Sequence, residues 1–244
     1  MNLSLNRTVE HLKPLMAHVK DYVFPEYSDT EPALALQTIR TELETITDAA
    51  TAEAFIGELP RIRSLVITDV EAVAQNDPAQ KGIQEIVYCY PAVTAMLYYR
   101  SAHVLLGLGV PVIPRMLTEY AHNVTGIDIH PGAVIGPYFA IDHGTGIVIG
   151  ETAVIGEHVT LYQGVTLGAK NFRYDTEGRP MNLPRHPILE DRVTVYSNAS
   201  ILGRITIGTH SVIGGNVWLT HSVPQHSRIL QGRAVESFSD GSGI

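Results

Sequence analysis

An aspartate and a histidine in the second half of the chain have the types and spacing of a catalytic pair. Asp128 lies in residues 126–131 (GIDIHP), and His143 lies in the run that begins IDHGTG. A carboxylate that accepts from one imidazole nitrogen fixes the tautomer and leaves the other nitrogen free to take a proton from a hydroxyl. An aspartate and a histidine in a loop are more often a structural hydrogen-bonded pair, so spacing alone leaves both interpretations open.

A six-residue repeat indicates which element positions this pair. Its aliphatic positions are Ile129, Ile135, Ile141 and Ile147, then, after a shift of two, Ile149, Ile155, Leu161 and Leu167, and finally Leu189, Val195, Ile201, Ile207, Ile213 and Leu219. A period of six suits a coil of three short strands around a triangular interior, whereas an antiparallel sandwich needs two-residue alternation. One coil takes about 18 residues, so we expect Asp128 and His143 to stack near one corner.

The first half of the chain has the period of helices. Apolar residues recur at helical spacing near residues 3–20, 33–57, 91–106 and 114–123 and in a segment that starts at Pro60, with a break at residues 76–78. The fold class predicted is therefore α+β, with an α-helical domain at 1–125 and a parallel β-helix at 126–230. A long loop leaves the coil at 168–188, and residues 231–244 form a flexible tail.

Composition excludes several classes of function. The net charge of −8 argues against nucleic acid as a partner, and the longest apolar stretch is interrupted by Arg100 and His103, which argues against a membrane span. A secretory signal is not recognisable in residues 1–20. The single cysteine, Cys89, permits no intramolecular disulfide and fits a reducing cytoplasm; its apolar helical context predicts a small buried side chain.

Three motifs together resemble those of the serine acetyltransferases of cysteine biosynthesis. They are residues 141–156 (IDHGTGIVIGETAVIG), residues 164–168 (GVTLG) and residues 185–187 (RHP). The resemblance covers about 77–223 and is strongest from 126 to 168. It implies a left-handed parallel β-helix, a handedness that the spacing does not establish. It also implies acetyl-CoA as co-substrate, no metal, and direct acetyl transfer to the hydroxyl of L-serine.

The resemblance further implies a role for each motif residue. His143 would be the general base and Asp128 would hold its imidazole. Asp77 and Asp142 would bind the serine ammonium, and Arg185 and His186 would bind its carboxylate. This set favours an amino acid over a sugar as acceptor, because a zwitterion needs both signs of charge. Acetyl-CoA would lie near Gly168, Ala169 and Ser197 in the groove between neighbouring β-helices.

A basic stretch near the end of the repeat fits an anionic ligand. No acidic residue lies between Asp191 and Glu236, while this stretch contains four arginines: Arg192, Arg204, Arg228 and Arg233. These arginines could face the phosphates of CoA, or they could be solvated and scattered around the coils.

Two other functions remain open at this point. The chain could be a different hexapeptide acyltransferase, since many of these share the repeat. It could also be a zinc-binding β-helix of the carbonic anhydrase type, for which His221 and His226 would be ligands, although a third histidine has no evident motif. We assign His130 a structural role.

The resemblance also implies partners. Members of the family form trimers, often paired into hexamers, with active sites between subunits. The chain ends in Ile244, like family members whose terminal isoleucine enters the active site of O-acetylserine sulfhydrylase. Feedback inhibition by cysteine is expected, because cysteine resembles serine.

Overall fold

Helices fill the first half of the chain. The computed structural model describes residues 5–232, and the predictions for the tail beyond residue 232, including Arg233 and Ile244, lie outside that range. The helices within it are α1 Leu5–Val23, α2 Pro32–Ile46, α3 Ala49–Asn76, α4 Ile83–Cys89, α5 Pro91–Gly107 and α6 Ile113–Thr125, with a 3-10 turn at Pro25–Tyr27. Of the described helices, none combines the length and apolarity that a membrane crossing requires.

Three expectations for this half were wrong in detail. The helix expected at 33–57 is two helices, because Asp48 caps α3 by accepting from the backbone N–H of Thr51 at 2.9 Å. Pro60 lies inside α3 instead of starting a helix. Cys89 is exposed, because α4 buries Ile86 and Val87 and ends at the cysteine. The break at residues 76–78 is confirmed, since α3 ends at Asn76.

Fourteen short strands follow the helices and stack as a parallel solenoid. They are β1 Asp128–Ile129, β2 Val134–Ile135, β3 Ala140–Asp142, β4 Val148–Ile149, β5 Val154–Ile155, β6 Thr160–Tyr162, β7 Thr166–Gly168, β8 Ile188–Leu189, β9 Thr194–Val195, β10 Ser200–Leu202, β11 Thr206–Ile207, β12 Val212–Ile213, β13 Trp218–Leu219 and β14 Arg228–Ile229. Sheet A has the order β1-β4-β7-β10-β13, sheet B β11-β8-β5-β2 and sheet C β14-β12-β9-β6-β3. Each coil therefore visits sheets A, B and C in turn.

The six-residue repeat is confirmed as the interior of this solenoid. Every aliphatic position predicted from Ile129 to Leu219 is buried. Residues one coil apart pair in parallel, for example Ile149 with Leu167 and Ile201 with Leu219. The three sheets enclose one apolar core, as expected for a coil of flat strands.

The two-residue shift in the repeat enlarges a single corner. Ile129 pairs with Ile149, so the first coil is two residues longer than the coil from Ile149 to Leu167. The additional residues lie between β3 and β4, where Gly144 and Gly146 have φ of 92° and 80°. A Cβ on Gly144 would lie 2.5 Å from Ile127 Cδ1, so this tight corner requires glycine.

Helix α5 and a buried ion pair fix the helices to the first coil. Arg100 donates to both carboxylate oxygens of Asp69 on α3, at 3.0 and 3.1 Å, and also to the backbone oxygens of Ile135 and Gly136. Burial raises the pKa of Asp69 to about 6, against the opposing effect of the guanidinium. This contact holds the end of α3 beside β3, where Asp77 emerges.

Candidate active site

His143 lies at an edge of the triangular solenoid. We call the turn from sheet C to sheet A corner 1, that from sheet A to sheet B corner 2, and that from sheet B to sheet C corner 3. His143 follows β3 at corner 1 with a left-handed φ of 58°. Its side chain is 78% exposed, and its Nε2 lies 3.6 Å from Asp142 Oδ1. The imidazole is therefore presented to solvent beside a carboxylate.

Asp77 joins the same cleft from the end of α3. Its carboxylate accepts from Tyr90 Oη at 2.6 Å and from the backbone N–H of Ala79 at 2.7 Å. Both hydrogen bonds lower the pKa of Asp77, and the bond from Tyr90 has the larger effect. The Tyr90–Asp77 bond also raises the pKa of Tyr90 to about 12. Asp77, Tyr90, Asp142 and His143 line one cleft. Two carboxylates beside an imidazole suit a substrate ammonium next to a reacting hydroxyl.

Tyr90 was not singled out from the sequence. It precedes Pro91 at the start of α5, where a tyrosine is an ordinary residue. Only the packing of α5 against the end of α3 brings its hydroxyl to Asp77.

Asp128 lies at corner 1 on the adjacent segment. The backbone N–H of Asp128 donates to the oxygen of Ile147 at 2.9 Å, and Asp128 pairs with Val148, five residues after His143. Among the described residues, the side chains of Asp128 and His143 do not form the expected hydrogen bond. The left-handed backbone of His143 turns its ring outward. Asp128 Oδ1 instead lies 3.8 Å from Arg115 Nη1.

Arg115 also neutralises a small cluster of acidic side chains at this corner. The possible ligand atoms of Glu119, His122 and Asp128 lie within 4.8 Å of one another. The guanidinium of Arg115 pairs with both carboxylates of the cluster, however. It supplies the positive charge that a metal ion would otherwise provide, so we do not assign a metal there.

Arg185 and His186 lie at corner 2, immediately before β8. Arg185 Nη2 lies 2.7 Å from Glu151 Oε2. His186 is only 7% exposed, and burial together with the charge of Arg185 lowers its pKa to about 4. The histidine is therefore neutral near pH 7.

One chain does not assemble all the predicted serine-binding residues. His143, Asp142 and Asp77 lie at corner 1, whereas Arg185 and His186 lie at corner 2, across the width of sheet A. The acetyl-CoA residues are divided in the same way. Gly168 and Ala169 begin the loop at corner 2, and Ser197 lies between β9 and β10 at corner 1.

The loop at corner 2 encloses a basic cavity of about 540 Å³. Its lining includes the cations Lys170, Arg173, Arg185 and Arg204 and contains no carboxylate. The basic stretch expected from the sequence is not assembled on one side: Arg204 lies at corner 2, whereas Arg192 lies at corner 3 and Arg228 follows that corner in β14. Coil geometry separates residues that are close in sequence.

The remaining histidines occupy separate positions. His130 Nδ1 accepts from the backbone N–H of Gly132 at 3.0 Å, which is a local turn contact. His221 follows β13 at corner 2, and His226 stacks on His210 at corner 3 with ring centroids 5.2 Å apart. The two histidines considered as zinc ligands therefore lie at different corners.

Two known proteins with similar sequences have the same name. A serine acetyltransferase from Synechococcus elongatus, described as plasmid-encoded, is 52% identical over 194 residues, which are 79% of this chain and 61% of that protein. A serine acetyltransferase from Helicobacter pylori is 42% identical over 165 residues, 68% of this chain and 92% of the relative. No protein-family model matches the chain.

Solved structures agree with the sequence comparison. Serine acetyltransferase isoform 3 from Entamoeba histolytica, in complex with cysteine, matches with a TM-score of 0.82 and 34% identity over 93% of this chain and 83% of that one. The Neisseria gonorrhoeae enzyme in complex with serine has a TM-score of 0.68 and 28% identity, covering 88% and 78% of the two chains. The Brucella abortus enzyme in complex with coenzyme A has a TM-score of 0.69 and 25% identity, covering 92% and 80%.

The fold and the corner site together define a class. This is a helix-capped, hexapeptide-repeat solenoid that presents a histidine and two carboxylates at one corner and an arginine–histidine pair at the next. With the relatives and structures above, the chain belongs to the serine acetyltransferase family.

Proposed function

We propose that the protein transfers the acetyl group of acetyl-CoA to the hydroxyl of L-serine, giving O-acetyl-L-serine and CoA for cysteine biosynthesis. The cleft at corner 1 carries this proposal, because it places Asp77 and Asp142 beside the exposed imidazole of His143. The two carboxylates bind the substrate ammonium and hold the serine hydroxyl near the imidazole.

The chemistry is general-base catalysis with direct attack. The imidazole of His143 takes the hydroxyl proton while the serine oxygen attacks the thioester carbonyl. The tetrahedral intermediate collapses as the carbon–sulfur bond breaks, and the imidazolium returns the proton to the leaving CoA thiolate. Asp128 holds the imidazolium once its carboxylate turns from Arg115 towards the ring. Acetyl-CoA is consumed as a co-substrate, and the reaction needs no metal.

The division of the site between two corners supports a trimer. If corner 2 of a neighbouring chain approaches corner 1, Arg185 and His186 reach the carboxylate of a serine bound at His143. The CoA residues Gly168, Ala169 and Ser197 then line one groove between subunits, and the basic cavity at corner 2 lies beside it. Sheet A faces the threefold axis in such an assembly, and its outward side chains include the exposed Val148 and Trp218.

The other expected partners extend the same proposal. Helices α1 to α6 provide the surface for pairing two trimers into a hexamer. The single cysteine fits a cytoplasmic location. Cysteine competes at the serine site; this agrees with the cysteine complex of the Entamoeba structure.

One experiment tests the reaction. Thiol release from acetyl-CoA is measured with purified protein and L-serine, no acceptor, or a panel of sugars and amines. Turnover confined to L-serine supports the proposal, whereas equal or faster turnover with a sugar or amine identifies a different hexapeptide acyltransferase. No turnover with any acceptor contradicts an acetyltransferase function.

A further inference from the structure

The segment Gly150–Glu151–Thr152 forms a seat beneath Arg185 and His186. These three residues make the turn between β4 and β5 at corner 2, one coil below the arginine–histidine pair. A Cβ on Gly150 would lie 2.0 Å from His186 Cδ2, so the imidazole occupies the space that only glycine leaves open. Glu151 pairs with Arg185 at 2.7 Å. Each member of the seat thus contacts the pair above it.

Thr152 makes the most complete set of contacts in this seat. Its Oγ1 accepts from the backbone N–H groups of Arg185 at 2.9 Å and His186 at 3.1 Å. The same hydroxyl lies 2.9 Å from His186 Nδ1, to which its proton is free to point. One threonine hydroxyl has one donor and two acceptor positions, and all of them are used here.

Two donors of Thr152, its backbone N–H and its hydroxyl, face Nδ1 of His186 and together set the tautomer of the ring. The Thr152 N–H donates to His186 Nδ1 at 3.1 Å, so Nδ1 carries no proton in this arrangement and the ring proton must be on Nε2. Within the described residues Nε2 has no hydrogen-bond partner, and it is not among the fully buried unpaired polar atoms. Its N–H is therefore free for an acceptor and is not fully buried.

Arg204 fixes the seat to the pair from the coil above. Its Nη1 donates to the backbone oxygen of Thr152 at 2.6 Å and to that of His186 at 3.0 Å. The charged and titratable groups around His186 are Arg185 on its own segment, Glu151 one coil below, His130 two coils below, and Arg204 one coil above. Two permanent cations and burial oppose its protonation.

We propose that Thr152, supported by Arg204, is a positioning residue for substrate binding: it holds His186 as the neutral Nε2–H tautomer, aimed at the carboxylate of the acceptor amino acid. This inference rests on the proposed function for the identity of the acceptor. It assigns the GET part of the motif a physical role, since glycine makes room for the ring, glutamate holds the arginine, and threonine sets the tautomer. The other neutral tautomer would present an Nε2 lone pair, which cannot donate to a carboxylate.

The kinetic test compares Thr152→Val, which keeps the shape and removes the hydroxyl, with Thr152→Ser, which keeps the hydroxyl. The matched control is Thr206→Val in sheet B, because no side-chain hydrogen bond of Thr206 is found among the described residues. We expect Thr152→Val to raise the KM for L-serine about tenfold, with the KM for acetyl-CoA changed less than twofold, and Thr152→Ser to restore it.

A second readout does not depend on turnover. Imidazole ¹⁵N NMR of protein labelled at histidine, with His186 assigned by its loss in His186→Asn, reports which nitrogen bears the proton. The proposal requires the Nε2–H form in the wild type at pH 6 to 8 and a smaller share of that form in Thr152→Val, which loses the hydroxyl donor and keeps the backbone N–H. A wild-type Nδ1–H form or imidazolium overturns it, as does an unchanged KM for serine in Thr152→Val. If the wild type shows the tautomer but does not turn over serine, the proposed reaction fails while the positioning role of Thr152 survives.

Discussion

His143 and Arg185 lie at opposite edges of sheet A in the same chain, although the proposed reaction needs both at one serine molecule. His143 lies at corner 1, where the chain enters sheet A, and Arg185 lies at corner 2, which follows sheet A. A threefold arrangement resolves this separation, because each corner 1 then meets the corner 2 of a neighbour. In the proposed trimer, each active site is therefore shared between two subunits.

Complementation between inactive variants tests this relationship. His143→Ala and Arg185→Ala should each lose most activity, whereas trimers refolded from an equal mixture should recover about a quarter of the wild-type rate, since random assembly places two intact corners together at one site in four. The measurement is serine-dependent thiol release before and after mixing. Failure to recover activity in confirmed mixed trimers would show that each site is built from one chain.

Trp218 lies on sheet A, the face that we propose to lie at the threefold axis. It is the only tryptophan of the chain, and in the isolated chain it is 72% exposed. Trp218→Glu should shift the protein towards monomers in analytical ultracentrifugation, because a carboxylate is costly to bury in an interface. The control is Val134→Glu, an exposed position on sheet B. A trimer unaffected by Trp218→Glu would move the axis to another face.

Replacement of the proposed base should reduce the chemical step. His143→Ala is expected to lower kcat by about 10² to 10⁴, with a smaller effect on the KM for acetyl-CoA. His158→Ala is the matched control, because His158 lies at corner 3, where it stacks on Tyr138. Full activity in His143→Ala would exclude the imidazole as the base.

Tyr90→Phe tests the link between α5 and the serine ammonium. The change removes the hydrogen bond to Asp77 that lowers the pKa of that carboxyl, and loss of about 1 kcal/mol should raise the KM for serine about fivefold with little change in kcat. Tyr88→Phe, on α4, is the control, since its hydroxyl contacts the backbone of Tyr27. Equal kinetics in both variants would remove Tyr90 from the site.

The depressed pKa of His186 has a consequence for stability. Between the pKa of about 4 in the folded chain and about 6.5 in the unfolded chain, the unfolded state binds more protons, so the free energy of unfolding falls as pH is lowered. The contribution of this residue is complete above pH 6.5, and its largest slope is about 1.4 kcal/mol per pH unit. Urea unfolding at pH 5 to 7 should show a smaller slope in His186→Asn; equal slopes would contradict the shift.

Much of the fold could be predicted because the repeat is local. A six-residue period specifies which side chains point inwards without knowledge of distant contacts, and the ladder from Ile129 to Leu219 is buried throughout. Helix boundaries were harder. The cap at Asp48 divides the segment expected as one helix, and Pro60 is tolerated inside α3. A proline or a short polar residue has several possible local roles, and packing decides among them.

The site was predicted less completely. Asp142 and His143 are adjacent in sequence, and the two-residue shift in the repeat marked their corner, so their proximity was accessible. The placement of Asp77 and Tyr90 depends on how α3 and α5 pack against β3, and neither contact has a periodic signature. The Asp128 side chain pairs with Arg115 of α6, a residue that no motif identified.

The sequence by itself determined the coil, its interior, the exit of the loop at corner 2 and the identity of the chemical groups. These follow from residue type and from a period of six, both of which are properties of neighbouring residues. Only the tertiary structure decided which corner each group occupies, that Thr152 and Gly150 form a seat for His186, and that the proposed serine-binding groups of one chain are separated by sheet A. The reason is physical: contacts between coils and between helices join residues far apart in sequence, and they depend on the shape of the packed chain.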